Sequence, residues 1–207
     1  KLGPVTIAGS LIGGSGIRSG SIFVDGTIGP VRIGHDIVGG DGGGTAQISS
    51  DSGIASVSVG GSLIGRDGNR SPRIATDGNL GRVKIGGDVL GGAGQFSGSI
   101  ETGSNGGVGG KMAGVTIGGS LVGGSANATG FVASEGDMAF VKIGHDFVGG
   151  SISGTMPNLQ GSGFIESDQR IGSVFIGGSI IAGTDASTVG ALLFNATINA
   201  EDDIGAL

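Results

Sequence analysis

The feature that most constrains this chain is a phrase that recurs about every 26 residues: an aliphatic residue, Gly or Ala, any residue, Val, any residue, Ile or Val, then Gly or Ala. It opens at Leu2, Ile28, Ile54, Leu80, Met112, Met138, Ile171 and Ile204. The spacings are 26, 26, 26, 32, 26, 33 and 33 residues, so the unit is 26 residues with three insertions. A fixed period of this length is the signature of a repeat architecture, in which each unit packs against its neighbours.

Each unit contains three short apolar segments separated by Gly-rich turns. In the first unit they are Val5 with Ile7, the pair Leu11-Ile12, and Ile22. Alternation at every second residue predicts a strand with one buried face, and Gly permits tight corners between strands. A helix is excluded because the Gly pairs interrupt every stretch and Gly is a poor helix former.

We therefore predict an all-β fold, a right-handed parallel β-helix with a triangular cross-section. It has about 26 residues per coil, and seven coils plus the start of an eighth. The first-segment valines should form one buried column at the inter-strand spacing of about 4.8 Å. That column is Val5, Val31, Val57, Val83, Val115, Val141 and Val174.

The domain is predicted to be a single β-solenoid over residues 1–207, a slice of a longer repeat array. The corner insertions lie within residues 103–111, 151–161 and 184–194. Insertions in solenoids map to loops that often bind partners. Tolerated variation in loop length is the alternative interpretation.

The outward positions alternate from coil to coil. Coils two, four and six carry a basic residue and an Asp, such as Arg32 and Asp36, where coils one, three and five carry two hydroxyls, such as Thr6 and Ser10. This doubles the distance between like charges to about 9.6 Å, near the Debye length in physiological salt. It also allows the basic residue and the Asp of one coil to pair.

A column of acidic residues precedes the unit openings. It consists of Asp25, Asp51, Asp77, Glu135, Asp168 and Glu201. Two interpretations stay open: a solvated edge that keeps the rod soluble, or a calcium-binding ladder in which turn carbonyls complete the six to eight oxygen ligands that Ca²⁺ takes. No other cofactor is predicted.

The composition of the chain argues against several classes of function. The net charge of −6 argues against nucleic acid, and no apolar run approaches the roughly 18 residues of a spanning helix. The chain has no Cys, Trp or Tyr, so thiol chemistry is excluded and aromatic stacking platforms are scarce. His35 and His145 occupy the same repeat position four coils apart and cannot share a metal. We therefore do not expect an enzyme.

The phrases at Ile33–Gly40, Ile85–Gly92 and Ile117–Gly124 resemble the repeats of giant surface or secreted proteins of planctomycete-type bacteria. The architecture also resembles filamentous-haemagglutinin-type adhesins and autotransporter passenger domains. The resemblance implies surface display, adhesion or a matrix role, and it transfers no functional residue.

The predicted function is thus a non-enzymatic extracellular rod on a bacterial surface, structural or adhesive, that assembles into a filament or layer. Its predicted partners are other copies of itself, end to end, and other parts of the same array. The alternative is a ligand-binding solenoid for calcium or surface polysaccharide. Nucleic-acid binding and membrane insertion are not expected.

Overall fold

The computed structural model describes residues 1–103, 110–156 and 158–206. The described residues form a parallel β-solenoid in which each coil contributes one strand to each of three long sheets. The predicted all-β solenoid with three strands per coil is therefore confirmed.

The first sheet has eight strands, each of which opens its coil. They are Val5–Ile7, Ile28–Ile33, Gly53–Val59, Asn79–Ile85, Val115–Ile117, Val141–Ile143, Ile171–Ile176 and Ile204–Ala206. Neighbouring strands pair in register, so that Val5 lies beside Val31 and Val141 beside Val174. The predicted valine column is confirmed, and its members in coils two to seven are buried.

The second and third sheets have seven strands each. The second consists of Leu11–Ile12, Ile37–Val38, Leu63–Ile64, Val89–Leu90, Leu121–Val122, Phe147–Val148 and Ile180–Ile181. The third consists of Ile22–Val24, Gln47–Ser50, Arg73–Thr76, Ser99–Thr102, Thr129–Ser134, Ser162–Ser167 and Thr197–Ala200. One aliphatic or aromatic side chain per strand points inward from each, such as Leu63 and Ile74, and these build one continuous core.

The insertions of coils six and seven are not irregular loops. Ile152–Gly154 pairs with Asp185–Ser187, and Leu159–Gln160 pairs with Leu192–Leu193, so the two insertions stack as the coils do. Ile152 and Leu159 are buried beside the main core. The insertion within 103–111 falls largely on residues 104–109, which lie outside the described residues.

Close contact between coils makes Gly necessary at one corner. A Cβ added to Gly86 would lie 2.2 Å from the carbonyl oxygen of Gly60 in the preceding coil, and one added to Gly118 would lie 2.2 Å from that of Gly86. Any side chain at this position would push successive coils apart. The Gly that closes the repeated phrase therefore sets the tight stacking of the coils.

Buried hydroxyls satisfy the backbone at the other corners. The hydroxyls of Thr45, Ser97 and Thr129 accept hydrogen bonds from the N–H groups of Gly40, Gly92 and Gly124, each five residues earlier in the same coil. In coil seven the amide oxygen of Asn195 accepts from the Gly183 N–H instead. Among the described residues, no buried side-chain nitrogen or oxygen lacks a hydrogen-bond partner, which removes a desolvation cost of about 1–3 kcal/mol per group.

The alternating Ser and Asp column bonds between coils rather than within them. Asp36 donates its backbone N–H to Ser10 Oγ, and its Oδ1 accepts from the Ser62 N–H at 2.8 Å. Asp88 and Asp146 repeat this arrangement with the serines on either side. The ion pairs that the alternation allows within a coil are not formed by these three carboxylates, which accept hydrogen bonds from backbone N–H groups of the next coil.

Candidate functional site

The outer face of the third sheet carries a groove that runs along the solenoid axis. Two cavities of about 410 and 640 Å³ form it, and both are bordered by Gln95 and Phe96 in coil four. The larger one covers coils one to four and the smaller one covers coils four to seven. We call the whole feature the outer groove and the smaller cavity the phenyl pocket.

A backbone position just before each strand of the third sheet builds one wall of the outer groove. This position has a positive φ in every coil. Its members are Arg18, Gly44, Arg70, Phe96, Ala128, Gly161 and Phe194. Positive φ turns the side chains at this position out of the strand direction. In coils three to six, the residue before the wall position has an exposed side-chain amide; these residues are Asn69, Gln95, Asn127 and Gln160.

Phenyl rings bound the phenyl pocket at both ends. Phe96 and Phe194 are 38% and 60% exposed. Between them the same wall position holds only Ala128 and Gly161, which leaves a gap two coils long. Phe164 lines the pocket from the strand below the gap, and its ring stacks on Phe131 with the centroids 4.6 Å apart.

The section over coils one to four is lined by cations. The guanidinium of Arg18 lies 5.7 Å from the ring centroid of Phe23, and that of Arg70 lies 5.6 Å from the centroid of Phe96. Arg73 Nε contacts Glu101 Oε1 at 2.5 Å, and both side chains are almost fully buried. The two sections of the outer groove therefore differ in charge.

The predicted acidic column lies at the corner that follows the third sheet. Asp51 and Asp77 donate their backbone N–H groups to Val24 and Ser50 of the preceding coil, and Asp168 and Glu201 repeat the pattern with Ser134 and Ser167. The corners of Asp25, Asp51 and Asp77 follow one another in coils one to three, and those of Glu135, Asp168 and Glu201 in coils five to seven, whereas the equivalent residue of coil four, Gly109, lies outside the described residues. In the described part of the chain, no three His, Asp or Glu residues converge on one point. Calcium binding by this column stays a prediction.

A second charged column was not recognised in the sequence. It alternates in sign at the residue just before the opening residue of coils five to eight, and it consists of Lys111, Asp137, Arg170 and Asp203. Lys111 Nζ lies 2.7 Å from Asp137 Oδ2. The hydrogen bond and charge of Lys111, with help from Arg170, lower the pKa of the Asp137 carboxyl below its ordinary value.

One carboxyl in the seventh coil's insertion is also perturbed. The hydroxyl and the N–H of Ser187 both donate to Asp185 Oδ1, and these hydrogen bonds lower the pKa of Asp185. The histidines lie where the sequence predicted. His35 and His145 are exposed at equivalent corners, bonded through their backbone N–H groups to Gly9 and Gly119.

The aromatic pocket is the feature that sequence reasoning missed. The absence of Trp and Tyr suggested few stacking platforms, but five of the eight Phe residues lie on the outer face of the third sheet: Phe23, Phe96, Phe131, Phe164 and Phe194. Their grouping appears only when the insertions of coils six and seven are placed before the wall position, because Phe194 then aligns with Phe96.

No family model, curated protein or solved structure matches the chain. The fold defines the class of this protein as a three-sheet parallel β-solenoid. The described residues contain no helix of the length and apolarity that crossing a membrane requires.

Proposed function

We propose that this chain is a non-enzymatic structural and adhesive rod, displayed outside a bacterial cell and built to associate end to end. The observation that carries the proposal is the burial of the core by stacking. Leu121 pairs with Val89 and Phe147, and Phe147 pairs with Leu121 and Ile180, so that Leu121 and Phe147 are fully buried between neighbouring coils.

The regular register supports a rod that can be extended. Each interior coil pairs its three strands with the coil above and with the coil below. The order of the strands in all three sheets follows the order of the coils from one to seven. Exposed parallel edges are templates for another chain. A head-to-tail contact of this kind propagates into filaments when it does not close into a ring.

Surface display is tested by labelling cells of the native host with antibodies raised against the 207-residue chain. We expect labelling of intact cells and loss of the signal after external protease treatment. Labelling that requires permeabilised cells would contradict the proposed location, and a labelled cytoplasmic protein would serve as the control for cell integrity.

A second candidate function is calcium binding, which the succession of acidic corners in coils one to three and again in coils five to seven favours. In this interpretation Ca²⁺ would neutralise like charges that follow one another at about 4.8 Å. The dependence of the melting temperature on calcium separates it from the solvated-edge interpretation.

A further inference from the structure

The phenyl pocket is a shaped cavity rather than a gap between repeats. Phe96 and Phe194 stand three coils apart at the wall position, with only Ala128 and Gly161 between them. Three inter-strand spacings amount to about 14 Å, so the pocket admits a short linear oligomer lying along the axis. Its volume of about 410 Å³ falls in the range of small-molecule sites.

The backbone of the wall position shows that these phenyl rings are held at a cost. Phe96 and Phe194 have φ values of 58° and 50°, in the left-handed region that favours Gly. Gly161 occupies the same position in coil six with a φ of 63°. Arg18, Arg70 and Ala128 share this conformation, so it belongs to the repeat, and the identity of the side chain at this position is what differs at the two ends of the pocket.

The rim of the phenyl pocket offers hydrogen bonds to hydroxyl groups. The side chains of Gln95 and Gln160 are exposed, and within the described ranges neither amide has a hydrogen-bond partner. Each amide presents donors and an acceptor side by side. On the other side Asn199 Nδ2 donates to Glu166 Oε1 at 3.4 Å.

The charge of the pocket selects against anions. Its lining contains the carboxylate of Glu166 and neither Lys nor Arg. An acidic ligand would meet that carboxylate, while the nearby guanidinium of Arg70 already lies over the Phe96 ring at the end of the pocket. The polar groups therefore suit a ligand that carries hydroxyls and no net charge.

A peptide strand cannot add to this face through its backbone. The strands Thr129–Ser134, Ser162–Ser167 and Thr197–Ala200 already pair with one another, so their N–H and C=O groups are used in the sheet. The side chains that face the pocket include phenyl rings, which can pack against C–H faces, and amides, which can bind hydroxyls. Pyranose rings present both surfaces.

From these observations we propose that the phenyl pocket binds an uncharged linear polysaccharide, with sugar rings lying between Phe96 and Phe194. The inference goes beyond the structural rod, and it stands or fails independently of end-to-end association. It gives the rod a chemical basis for adhesion to a glycan surface.

The test is isothermal titration calorimetry of the 207-residue chain with cellohexaose, laminarihexaose, mannohexaose and, as the anionic comparison, hexagalacturonate. We expect saturable binding to at least one neutral hexasaccharide and none to hexagalacturonate. Ala128→Phe should abolish binding, because a third phenyl ring would fill the gap. The backbone allows it, since Ala128 has a φ of 52°, within a few degrees of Phe96 and Phe194.

Two further variants keep the test independent of folding. Phe194→Ala removes one wall and should weaken binding about tenfold or more, as for an aromatic group central to a site. Phe175→Ala is the matched control, because Phe175 is equally exposed on the first sheet and away from the pocket, and it should leave binding unchanged.

The proposal would be overturned by no binding to any neutral hexasaccharide, by a preference for hexagalacturonate, or by binding that survives both Ala128→Phe and Phe194→Ala. Loss of self-association in Ala128→Phe, measured by sedimentation, would also overturn it, because the pocket would then receive another copy of the chain. Failure of glycan binding leaves end-to-end association intact and so is distinguishable from failure of the rod.

Discussion

The hydroxyl of Thr129 accepts a hydrogen bond of 2.9 Å from the backbone N–H of Gly124 and donates one of 2.9 Å to the carbonyl of Ala126. Thr129 is fully buried. It therefore closes the corner between the second and third sheets. The equivalent hydroxyls of Thr45 and Ser97 accept hydrogen bonds from the N–H groups of Gly40 and Gly92 in coils two and four.

Replacing Thr129 by Val should destabilise the solenoid by about 1–3 kcal/mol, the cost of leaving a buried N–H without an acceptor. Val keeps the shape of the side chain, so the loss reports the hydrogen bonds. The measurement is the free energy of unfolding from chemical denaturation. Thr116→Val, on the more open outer face of the first sheet, is the control, and an equal loss in both variants would contradict the assigned role.

Gly86→Ala should also destabilise the fold, because its new Cβ would lie 2.2 Å from the Gly60 carbonyl oxygen. Overpacking of this kind typically costs about 1–3 kcal/mol. Gly9→Ala provides the matched control at an open corner, since nothing lies within 4 Å of a Cβ there. Equal melting temperatures for the two variants would show that coil spacing is not limited by this Gly.

The pKa of Asp137 should rise towards the ordinary Asp value of about 3.9 in Lys111→Gln, because Lys111 is the main cause of its depression. A carboxyl with a depressed folded-state pKa adds stability above its unfolded pKa, and this stability is lost as the pH falls through the folded pKa. The side chains of Lys111 and Asp137 are both exposed, so the effect on the free energy of unfolding is small. Carboxyl ¹³C NMR titration measures the pKa of Asp137 directly, and an unchanged pKa in Lys111→Gln would mean that the ion pair does not persist in solution.

Calcium should raise the melting temperature if the acidic column is a binding ladder, because a ligand bound only to the folded state stabilises it by mass action. The measurement is thermal unfolding in chelator and in millimolar Ca²⁺, with Mg²⁺ as the control ion. Asp51→Asn combined with Asp168→Asn should reduce the increase. An identical melting temperature in chelator and Ca²⁺ would leave the solvated edge as the role of this column.

The repeat predicted most of the fold. The period placed Val57, Leu63 and Ile74 in three separate strands, and the structure has them there. The repeat did not predict the hydrogen-bond partners of the polar side chains. The alternation of charges allowed Arg32 and Asp36 of one coil to pair, whereas the Asp36 carboxylate accepts a hydrogen bond from the Ser62 N–H of the next coil.

The candidate site could not be predicted from the sequence, for a geometric reason. The outer groove depends on a left-handed residue before each strand, and positive φ at Phe96 or Phe194 has no signature when the residue is not Gly. The few aromatic residues nevertheless form one site, because the stacking of coils places residues about 30 positions apart in the sequence beside one another on neighbouring strands.

The most direct test of the end-to-end rod is sedimentation velocity of the 207-residue chain at low and high ionic strength. We predict concentration-dependent association that increases with salt, because salt screens the repulsion of the acidic column across the junction. Ile180→Asp should suppress association without loss of core packing, since Ile180 is exposed in the single chain. A strict monomer at high protein concentration in both salt conditions would contradict the account.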